Sequence, residues 1–592
     1  MTNVFQRLVG LETEYAIRFH SGDSETARSK FRLYEALIAS LYRRVLAVPA
    51  KHFKEGVFTA NGGAVWFEAE RPAAGGGLVE GATPECRGPR EALIYQRAQD
   101  RLLADSAESA VTNGQMVLIK NDRDGHDNVY GAQENYEATF ASGWQLFFWR
   151  TGLVVMFPLA VLTWIGILLS VFVTIGYFAV AALCYLPFQL LTGGRYSVAL
   201  FLFGSDLVEG RENCLHVPVW LETTLQIGTR LLTAPLALYL YLLIQATGFC
   251  RARRQLLPFL ISRPVIAGAG MVDRDGTFHV ADKGPAINCV TGFGGMVYDR
   301  PIFSMGHFFK AVYADSWFAP RNYLTLFAER QRLQIAIGDS NMCDTAEYLR
   351  IGTTMLVLDA IESGAICNPP RLIGPIRALH QVCADPTLSA ELVLSDGSKT
   401  TALDLQRFYL EQCRAFLAKH VDDVPEEAEE IIRLWEQALS SLEEMSRSAA
   451  DPLSMFGSLD WVTKKYLIDK AGQGATWEEK KKIDIRYHEL SPEGYHQLLV
   501  PAGMASVLVT NEEIDRARRS APANSPATTR GHYIREFANG DEPVRANWQH
   551  VIIGRGWGAK VVRLARFGHA ADDRRRSASH QSNVRTDGLH LD

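Results

Sequence analysis

Cysteine is scarce in this 592-residue chain, and no two of its nine cysteines form a C-x-x-C pair. A zinc site or a disulfide framework is therefore not indicated, and free thiols in a reducing compartment are expected. Neither charge dominates, because 61 basic residues face 66 acidic ones, which excludes the basic footprint of a nucleic-acid-binding protein. The N-terminus has no apolar run of signal-peptide length, so we expect no cleavable targeting signal.

Charged residues are missing from two long internal stretches. None occurs between Arg150 and Arg195, or between Arg230 and Arg251. A helix crosses the hydrocarbon core of a bilayer with about 20 apolar residues, so both stretches are long enough, and the first could cross twice. A pair of buried core helices is the alternative. We predict a transmembrane module.

Acidic residues, in contrast, are concentrated where the sequence is otherwise apolar. Residues 10–15 read G-L-E-T-E-Y, and residues 61–85 open N-G-G-A-V-W-F-E and close E-G-A-T-P-E. Their glutamates include Glu12, Glu14, Glu68, Glu80 and Glu85. Crowded carboxylates repel one another unless a cation lies among them, and hard oxygen ligands suit Mg²⁺. The residues alone leave two readings open, a magnesium-binding cluster and solvated glutamates at a sheet edge.

The second of these stretches has the alternation of a strand. Successive side chains of a strand point to opposite faces, so Ala64, Trp66 and Glu68 would share one face. Val65 and Phe67 would then face a core. The face with Ala64, Trp66 and Glu68 is the candidate active face.

Six motifs follow one another along the chain. They are G-L-E-T-E-Y at 10–15, N-G followed by E-G-A-T-P-E-C at 61–86, N-D-R-D-G-H-D-N-V-Y-G-A-Q-E-N-Y at 121–136, L-P-F-L-I-S-R-P-V-I-A-G-A-G at 257–270, R-L-Q-I-A-I-G-D-S-N-M at 332–342 and I-D-I-R-Y-H-E at 483–489. Together they resemble the family of Pup ligases and Pup deamidases (depupylases). The resemblance covers most of the chain outside residues 138–254.

The resemblance implies an α+β fold like that of glutamine synthetase and related carboxylate–amine ligases. A curved antiparallel sheet would cradle ATP and Mg²⁺, and a small C-terminal domain would pack against it. We expect a catalytic domain in two halves, residues 1–137 and 255–515, separated by the inserted module at 138–254. A small domain at 516–568 and a disordered tail at 569–592 would follow.

The resemblance also implies an activity in proteasomal protein degradation. A Pup ligase phosphorylates the C-terminal glutamate of Pup, and a lysine of a substrate protein attacks the acyl phosphate to form an isopeptide bond. Cations must offset the repulsion between ATP and a carboxylate, because phosphoryl transfer is mainly positioning and charge stabilisation. A lysine is protonated near neutral pH, so a carboxylate must accept its proton. The expected partners are Pup or a Pup-like modifier, lysine-bearing substrate proteins and the lipid bilayer.

Site residues follow from their places in the motifs. The resemblance implies that Glu12 and Glu80 bind Mg²⁺, that Thr83 contacts ATP, and that Trp548 of the C-terminal domain contacts the nucleotide. Glu68 stands where the family has its catalytic aspartate. The structural alternatives are surface glutamates and, for Trp548, ordinary domain packing.

All three residues of the presumed active face depart from the family's pattern. Ala64 replaces an ATP-binding arginine, and Trp66 replaces a tyrosine near the metal and is itself unsuited to be a metal ligand. Glu68 replaces the aspartate, which moves the carboxylate about one methylene further out, and catalysis is sensitive to shifts of about 1 Å. Arg300 and Arg321 are the nearby candidates for a substituted cation. The nucleotide site is therefore either remodelled or inactive.

The ends of the insert constrain its topology. Both would belong to one domain and so lie on one side of the membrane, which requires an even number of crossings. Arg150 at one end and Arg251, Arg253 and Arg254 at the other place these ends in the cytoplasm. Either each uncharged stretch crosses once, with part of residues 151–194 re-entrant or interfacial, or this first stretch forms a hairpin. We expect a multi-pass membrane protein with a cytoplasmic catalytic domain.

Ligase activity is the first of four hypotheses. The connection between Tyr15 and Asn61 is short, whereas the deamidase branch carries an extra loop there. The alternatives are a Pup deamidase or depupylase, a membrane-anchored pseudoenzyme that binds Pup or nucleotide, and a small-molecule glutamate ligase.

Overall fold

The computed structural model describes residues 4–21, 29–52, 54–68, 76–125, 127–193, 195–204, 218–294, 299–315, 321–448, 452–472 and 474–564. The tail expected at 569–592 and the side chain of Arg321 lie outside this description.

An 11-stranded sheet is the centre of the fold within these residues. The strands of the chain are β1 Leu8–His20, β2 Ala47–Pro49, β3 Gly56–Thr59, β4 Ala64–Glu68, β5 Leu78–Ala82, β6 Cys86–Arg87, β7 Gln115–Ile119, β8 Gln133–Thr139, β9 Met271–Val272, β10 Phe278–His279, β11 Cys289–Gly292, β12 Pro301–Ser304, β13 Arg330–Ile335, β14 Leu392–Val393, β15 Lys399–Thr400, β16 Val544–Ala546, β17 His550–Ile553 and β18 Lys560–Arg563. The sheet has the order β11-β12-β13-β8-β1-β5-β4-β3-β2, and β6 and β7 also pair with β1. The expected antiparallel sheet is in fact mixed, because β11 and β12 run parallel.

Helices cover one face of this sheet. The helices are α1 Lys30–Tyr42, α2 Pro89–Glu108, α3 Gly143–Thr192, α4 Tyr196–Phe203, α5 Val219–Thr247, α6 Cys250–Ser262, α7 Pro264–Ala267, α8 Gly306–Lys310, α9 Arg321–Thr325, α10 Asp344–Ser363, α11 Pro375–Cys383, α12 Ala402–His420, α13 Glu426–Ser448, α14 Asp460–Lys470, α15 Trp477–Tyr487, α16 Tyr495–Leu499, α17 Asn511–Arg519 and α18 Pro526–Phe537, with a π-helical turn at Ala311–Asp315. Val65 and Val79 pack into a core that also contains Leu33 of α1 and Leu103 of α2. The predicted alternation of β4 is confirmed, because Phe67 packs against the same core.

The insert begins with one continuous helix. Helix α3 is 50 residues long, or about 75 Å at the usual rise per residue. A hairpin within residues 151–194 is therefore wrong. By length and composition, two helices of the described residues could cross a membrane, Gly143–Leu191 and Trp220–Thr247. They pack on each other through small residues, since a Cβ at Gly152 would lie 2.5 Å from Leu243.

A small C-terminal unit lies against the far end of the sheet. Strands β16, β17 and β18 form a three-stranded sheet, and Val544, Val551 and Ile534 share a core with Phe58 and Trp66. The unit therefore covers the end of the presumed active face, as the resemblance implies. The exact domain boundaries stay a prediction.

Candidate active site

The register of three neighbouring strands places the glutamates on one face. Glu14 of β1 lies opposite Glu80 of β5, and Glu80 lies opposite Trp66 of β4. Glu12 and Glu68 are two residues away along β1 and β4, so they share this face. Strand β1 and the consecutive strands β4 and β5 thus contribute four carboxylates to one surface.

A cavity of about 780 Å³ opens on this face. Its lining includes every residue predicted for the site, namely Glu12, Trp66, Glu68, Glu80, Thr83 and Trp548. The structure therefore brings together residues that the sequence places far apart. Their individual roles stay predictions.

Lys54 is the unexpected member of the site. Its Nζ lies 2.7 Å from Glu80 Oε2 and also forms an ion pair with Glu68 Oε2. Burial lowers the pKa of Lys54, but the carboxylates of Glu80 and Glu68 outweigh burial and raise this pKa above its ordinary value. A protein cation thus occupies the space between the presumed base and a presumed metal ligand.

Glu12 has a different set of neighbours. Asn135 Nδ2 donates a hydrogen bond to Glu12 Oε1 at 3.1 Å, and Arg332 Nη1 lies 3.6 Å from the same oxygen. Burial raises the pKa of Glu12, and Glu80 raises it further, whereas Arg332 lowers it, with a net increase. The ionised form of Glu12 is therefore short of positive charge.

Glu14 is similarly short of compensating charge. Gly131 N donates a hydrogen bond to Glu14 Oε2 at 2.9 Å. Burial and the charge of Glu80 together raise the pKa of Glu14 to about 8. A cation bound between these carboxylates would restore their ordinary ionisation.

The residues around Glu12 fit Mg²⁺. Asn135 Oδ1 is buried and has no hydrogen-bond partner among the described residues, and it is a hard oxygen donor next to a carboxylate. The described residues contain no cluster of three or more His, Cys, Asp or Glu side chains close enough to hold a metal by themselves. Glu12 and Asn135 are therefore the residues that would hold Mg²⁺ together with phosphate oxygens, and Glu80 is engaged by Lys54.

Thr83 is tied to the sheet by its side chain. Its Oγ1 accepts a hydrogen bond from Leu11 N at 3.0 Å, and its own backbone N donates to Leu11 O at 2.9 Å. Thr83 is 3% exposed. It therefore fixes β1 next to the cavity wall as well as lining that wall.

Trp548 is held in place by a buried arginine. The guanidinium of Arg530 lies 4.7 Å from the ring of Trp548 and 5.3 Å from the ring of Phe58. Arg530 also pairs with Glu85 and donates from Nε to Gly62 O at 2.9 Å. Glu85, one of the crowded glutamates, is thus neutralised by the C-terminal unit, and the same arginine positions Trp548 at the cavity.

Trp66 stands at one of the positions that depart from the family's pattern. It is 4% exposed and packs 4.8 Å from the ring of His52 and 5.5 Å from the ring of Phe58. Ala64 is buried in the same cluster beneath the C-terminal unit. The active face is remodelled toward an apolar wall at this end.

Sequence reasoning assigned no role to several polar residues of the cavity, among them Lys54, Asn135, Lys310 and Arg332. Arg332 alternates with Leu333 along β13, a pattern that would have placed it on a face. Lys54 comes from the loop before β3 and carries no such pattern. Arg300, the predicted substitute cation, does line the cavity.

Comparison with known proteins identifies the family. The profile of the family described as Pup-ligase protein matches residues 7–552. The chain belongs to this family.

Relatives within the family include both branches. The depupylase of Acidothermus cellulolyticus is 32% identical over 324 residues, which cover 53% of this chain and 60% of that protein. The Pup–protein ligase of Corynebacterium jeikeium is 24% identical over 597 residues, which cover 97% of this chain and 98% of that protein. The chain therefore spans about 60% of the length of that depupylase and nearly all of that ligase.

Solved structures of the family share the fold. The crystal structure of the complex between the prokaryotic ubiquitin-like protein Pup and its ligase PafA matches 99% of this chain with a TM-score of 0.62 at 21% identity, covering 96% of that ligase. The structure of PafA in complex with ADP matches 95% of the chain with a TM-score of 0.57 at 20% identity. The Pup-ligase protein thus has the α+β fold of PafA, with a mixed sheet and helices.

Proposed function

We propose that this Pup-ligase family protein is an ATP- and Mg²⁺-dependent ligase. It would join the C-terminal glutamate of Pup, or of a Pup-like modifier, to lysines of proteins destined for proteasomal degradation, through an acyl phosphate. The observation that carries the proposal is the convergence of Glu12, Glu14, Glu68 and Glu80 on one cavity that also holds Lys54. The near full-length similarity to a Pup–protein ligase supports it.

Different residues of the cavity would stabilise negative charge and transfer a proton. When bound, ATP would supply the phosphoryl group that activates the glutamate of the modifier. Glu12 and Asn135 would hold the magnesium, Arg332 and Lys310 would offset phosphate charge, and Lys54 keeps two carboxylates close together. Phosphate and carboxylate repel each other, so these fixed cations lower the energy of their approach.

Glu68 accepts the proton of the attacking lysine. Burial raises the pKa of Glu68 above its ordinary value, and Lys54 opposes this shift. A base whose pKa lies closer to the working pH accepts a proton more effectively, provided that it is still ionised. Lys54 therefore keeps Glu68 in the ionised form that the reaction needs.

Incubation with ATP, Mg²⁺ and Pup from the same genome tests the proposal. We expect a covalent Pup conjugate on a lysine-bearing acceptor and ADP release that depends on Pup. An absence of conjugate, with ADP release unaffected by Pup, would contradict ligase activity.

Depupylase or deamidase activity is the second candidate. It is supported by the depupylase of Acidothermus cellulolyticus, which has the higher identity over the part it shares. A pseudoenzyme that binds Pup is the third, supported by the burial of Ala64 and Trp66. Release of Pup from a linear fusion with little ATP consumption would favour the second, and Pup binding without turnover would favour the third.

We also propose that the insert anchors the protein in a membrane. Leu169, Phe172 and Leu183 of α3 expose 62%, 62% and 71% of their surface, and such a long apolar surface is not stable in water. Arg150, the eighth residue of α3, and Arg251, the second residue of α6, are also exposed. They would lie on the cytoplasmic side with the catalytic domain.

Membrane extraction tests the anchor. The full chain should stay in the membrane pellet after alkaline carbonate washing, whereas a chain with residues 143–247 replaced by a short linker should be released. Recovery of both chains in the soluble fraction would contradict the anchor.

A further inference from the structure

The wall of the cavity and the base of helix α3 form one packed unit. Thr325 and Leu326 line the cavity, and Trp149 Nε1 of α3 donates a hydrogen bond to Leu326 O at 2.6 Å. Trp149 is fully buried. Tyr323 OH donates to Leu153 O, one turn further along α3, at 2.7 Å.

The connection between sheet and helix is short, and two of its three residues, Phe140 and Ala141, are buried. Only residues 140–142 separate β8 from α3. The ring of Phe140 lies 4.4 Å from that of Trp149 and 5.2 Å from that of Phe308, which also lines the cavity. Phe140 N donates to Glu329 O at 2.8 Å. The helix is therefore fixed to the cavity wall and not attached by a flexible tether.

Strand geometry limits the distance from the helix to the reacting groups. Three strand steps separate β8, which leads into α3, from β4, which carries Glu68, or about 15 Å at the usual spacing. Asn135 in the cavity and Gly143 at the start of α3 are eight residue steps apart, or at most about 28 Å of chain. Glu68 also lies about six residues, or roughly 20 Å, along the strands from the level of Asn135. The glutamates thus lie within roughly 55 Å of the base of the insert.

We propose that the acceptors of this enzyme are lysines close to the membrane surface, on proteins that are themselves bound to the bilayer. The proposal rests on the ligase function and the membrane anchor proposed above. An active site that is rigidly anchored to the membrane can reach only lysines within a limited range of distances from the bilayer surface. An acceptor in the same bilayer meets this site at a raised effective concentration.

The chemistry at such a lysine is ordinary acyl transfer. The lysine amine attacks the activated carbonyl carbon of the modifier's glutamate, a C–N bond forms, and the C–O bond to phosphate breaks. Phosphate leaves, and the proton of the amine passes to Glu68.

Single-lysine acceptors of graded height test this substrate class. The full chain is reconstituted in liposomes with ATP, Mg²⁺ and Pup from the same genome. Each acceptor is a transmembrane helix followed by a lysine-free Glu-Ala-Ala-Ala-Arg helical spacer that holds its lysine about 15, 40 or 90 Å above the bilayer, at about 1.5 Å per residue. The matched control is the same spacer and lysine without the transmembrane helix.

We expect the acceptors at the two shorter heights to be conjugated on the order of 10²-fold faster than the soluble control. The tallest spacer should fall back toward the soluble rate, and the preference should disappear in detergent. Equal rates for the soluble acceptor and all three heights would overturn the substrate class while leaving the ligase function intact. Failure to conjugate any acceptor, soluble or anchored, would overturn both.

Discussion

The backbone N of Phe249 donates a hydrogen bond to the carbonyl oxygen of Phe140 at 2.5 Å, and their rings lie 4.9 Å apart. The two ends of the insert therefore meet at one point, and both rings contact Phe308 of the cavity wall. A segment that leaves and returns at one point crosses a membrane an even number of times. This contact supports the topology that we propose from the charges.

Helix packing within the insert gives the first prediction. A Cβ at Gly166 would lie 2.6 Å from Leu232, whereas nothing lies within 4 Å of a Cβ at Gly176. Gly166→Leu should therefore force α3 and α5 apart and destabilise the solubilised protein by about 1–3 kcal/mol. Thermal unfolding in detergent measures this change, with Gly176→Leu as the matched control. Equal effects of the two substitutions would contradict the observed packing.

The second prediction concerns the ion pairs of Lys54. Lys54 lowers the pKa of Glu68, so Lys54→Gln should raise this pKa and leave less of Glu68 ionised at neutral pH. The acidic limb of the kcat/KM profile should move to higher pH, and activity on that limb should fall about tenfold for each pH unit of displacement. Lys51→Gln, at an exposed position in the same loop, is the control. An equal loss at every pH would argue against control of Glu68 by Lys54.

The third prediction tests Glu68 as the base. Glu68→Gln keeps the shape of the side chain but cannot take a proton, so conjugation should fall by about 10²–10⁴-fold. Binding of ADP should change little, because Glu12 and Asn135 remain. Glu55→Gln, exposed just before β3, should leave conjugation unchanged. Full activity of Glu68→Gln would favour a different base.

The fourth prediction concerns the docking of the C-terminal unit. Arg530 is fully buried, and its Nη1 donates to Glu85 Oε1 at 3.2 Å. Arg530→Met leaves Glu85 buried without its cation and should lower the free energy of unfolding by about 3–5 kcal/mol. Adding Glu85→Gln should recover part of this loss, because the uncompensated charge is removed. Urea unfolding measures both variants, and an additive further loss in the double variant would contradict the pairing.

The fifth prediction is a pH dependence of stability. Burial, together with the charges of Asp122 and Asp484, raises the pKa of Asp282 to about 8. The pKa of an aspartate in the unfolded chain is about 3.9. Between about pH 4 and about pH 8 the native protein thus holds a proton that the unfolded chain releases, so this residue's contribution to stability falls as pH rises.

Asp282→Asn removes this contribution and keeps an oxygen that can accept the hydrogen bond from Asp122 N, now 3.1 Å long. The free energy of unfolding of Asp282→Asn, relative to that of the unsubstituted protein, should increase from about pH 5 to about pH 8. The increase should be at most about 1.4 kcal/mol per pH unit. Thermal unfolding at the two pH values measures the difference. Asp469→Asn, at an exposed position, is the control, and a pH-independent effect of Asp282→Asn would contradict the assignment.

Much of the site was predictable from local patterns. The alternation of residues 64–68 correctly assigned Val65 and Phe67 to the core, because the period of a strand is a local property. The motif order correctly predicted the family and the α+β class. The sheet was expected to be antiparallel throughout, and the parallel pair of β11 and β12 was missed.

The sequence by itself determined the family, the acidic strand faces and the two uncharged stretches, since each depends on residues that are close along the chain. Only the tertiary structure decided that Lys54 lies between Glu68 and Glu80, and that Arg530 neutralises Glu85. It also decided that the first uncharged stretch is part of a single helix that packs against the cavity wall. These contacts join residues that are distant in sequence, and their formation depends on how whole elements pack, which no local pattern encodes.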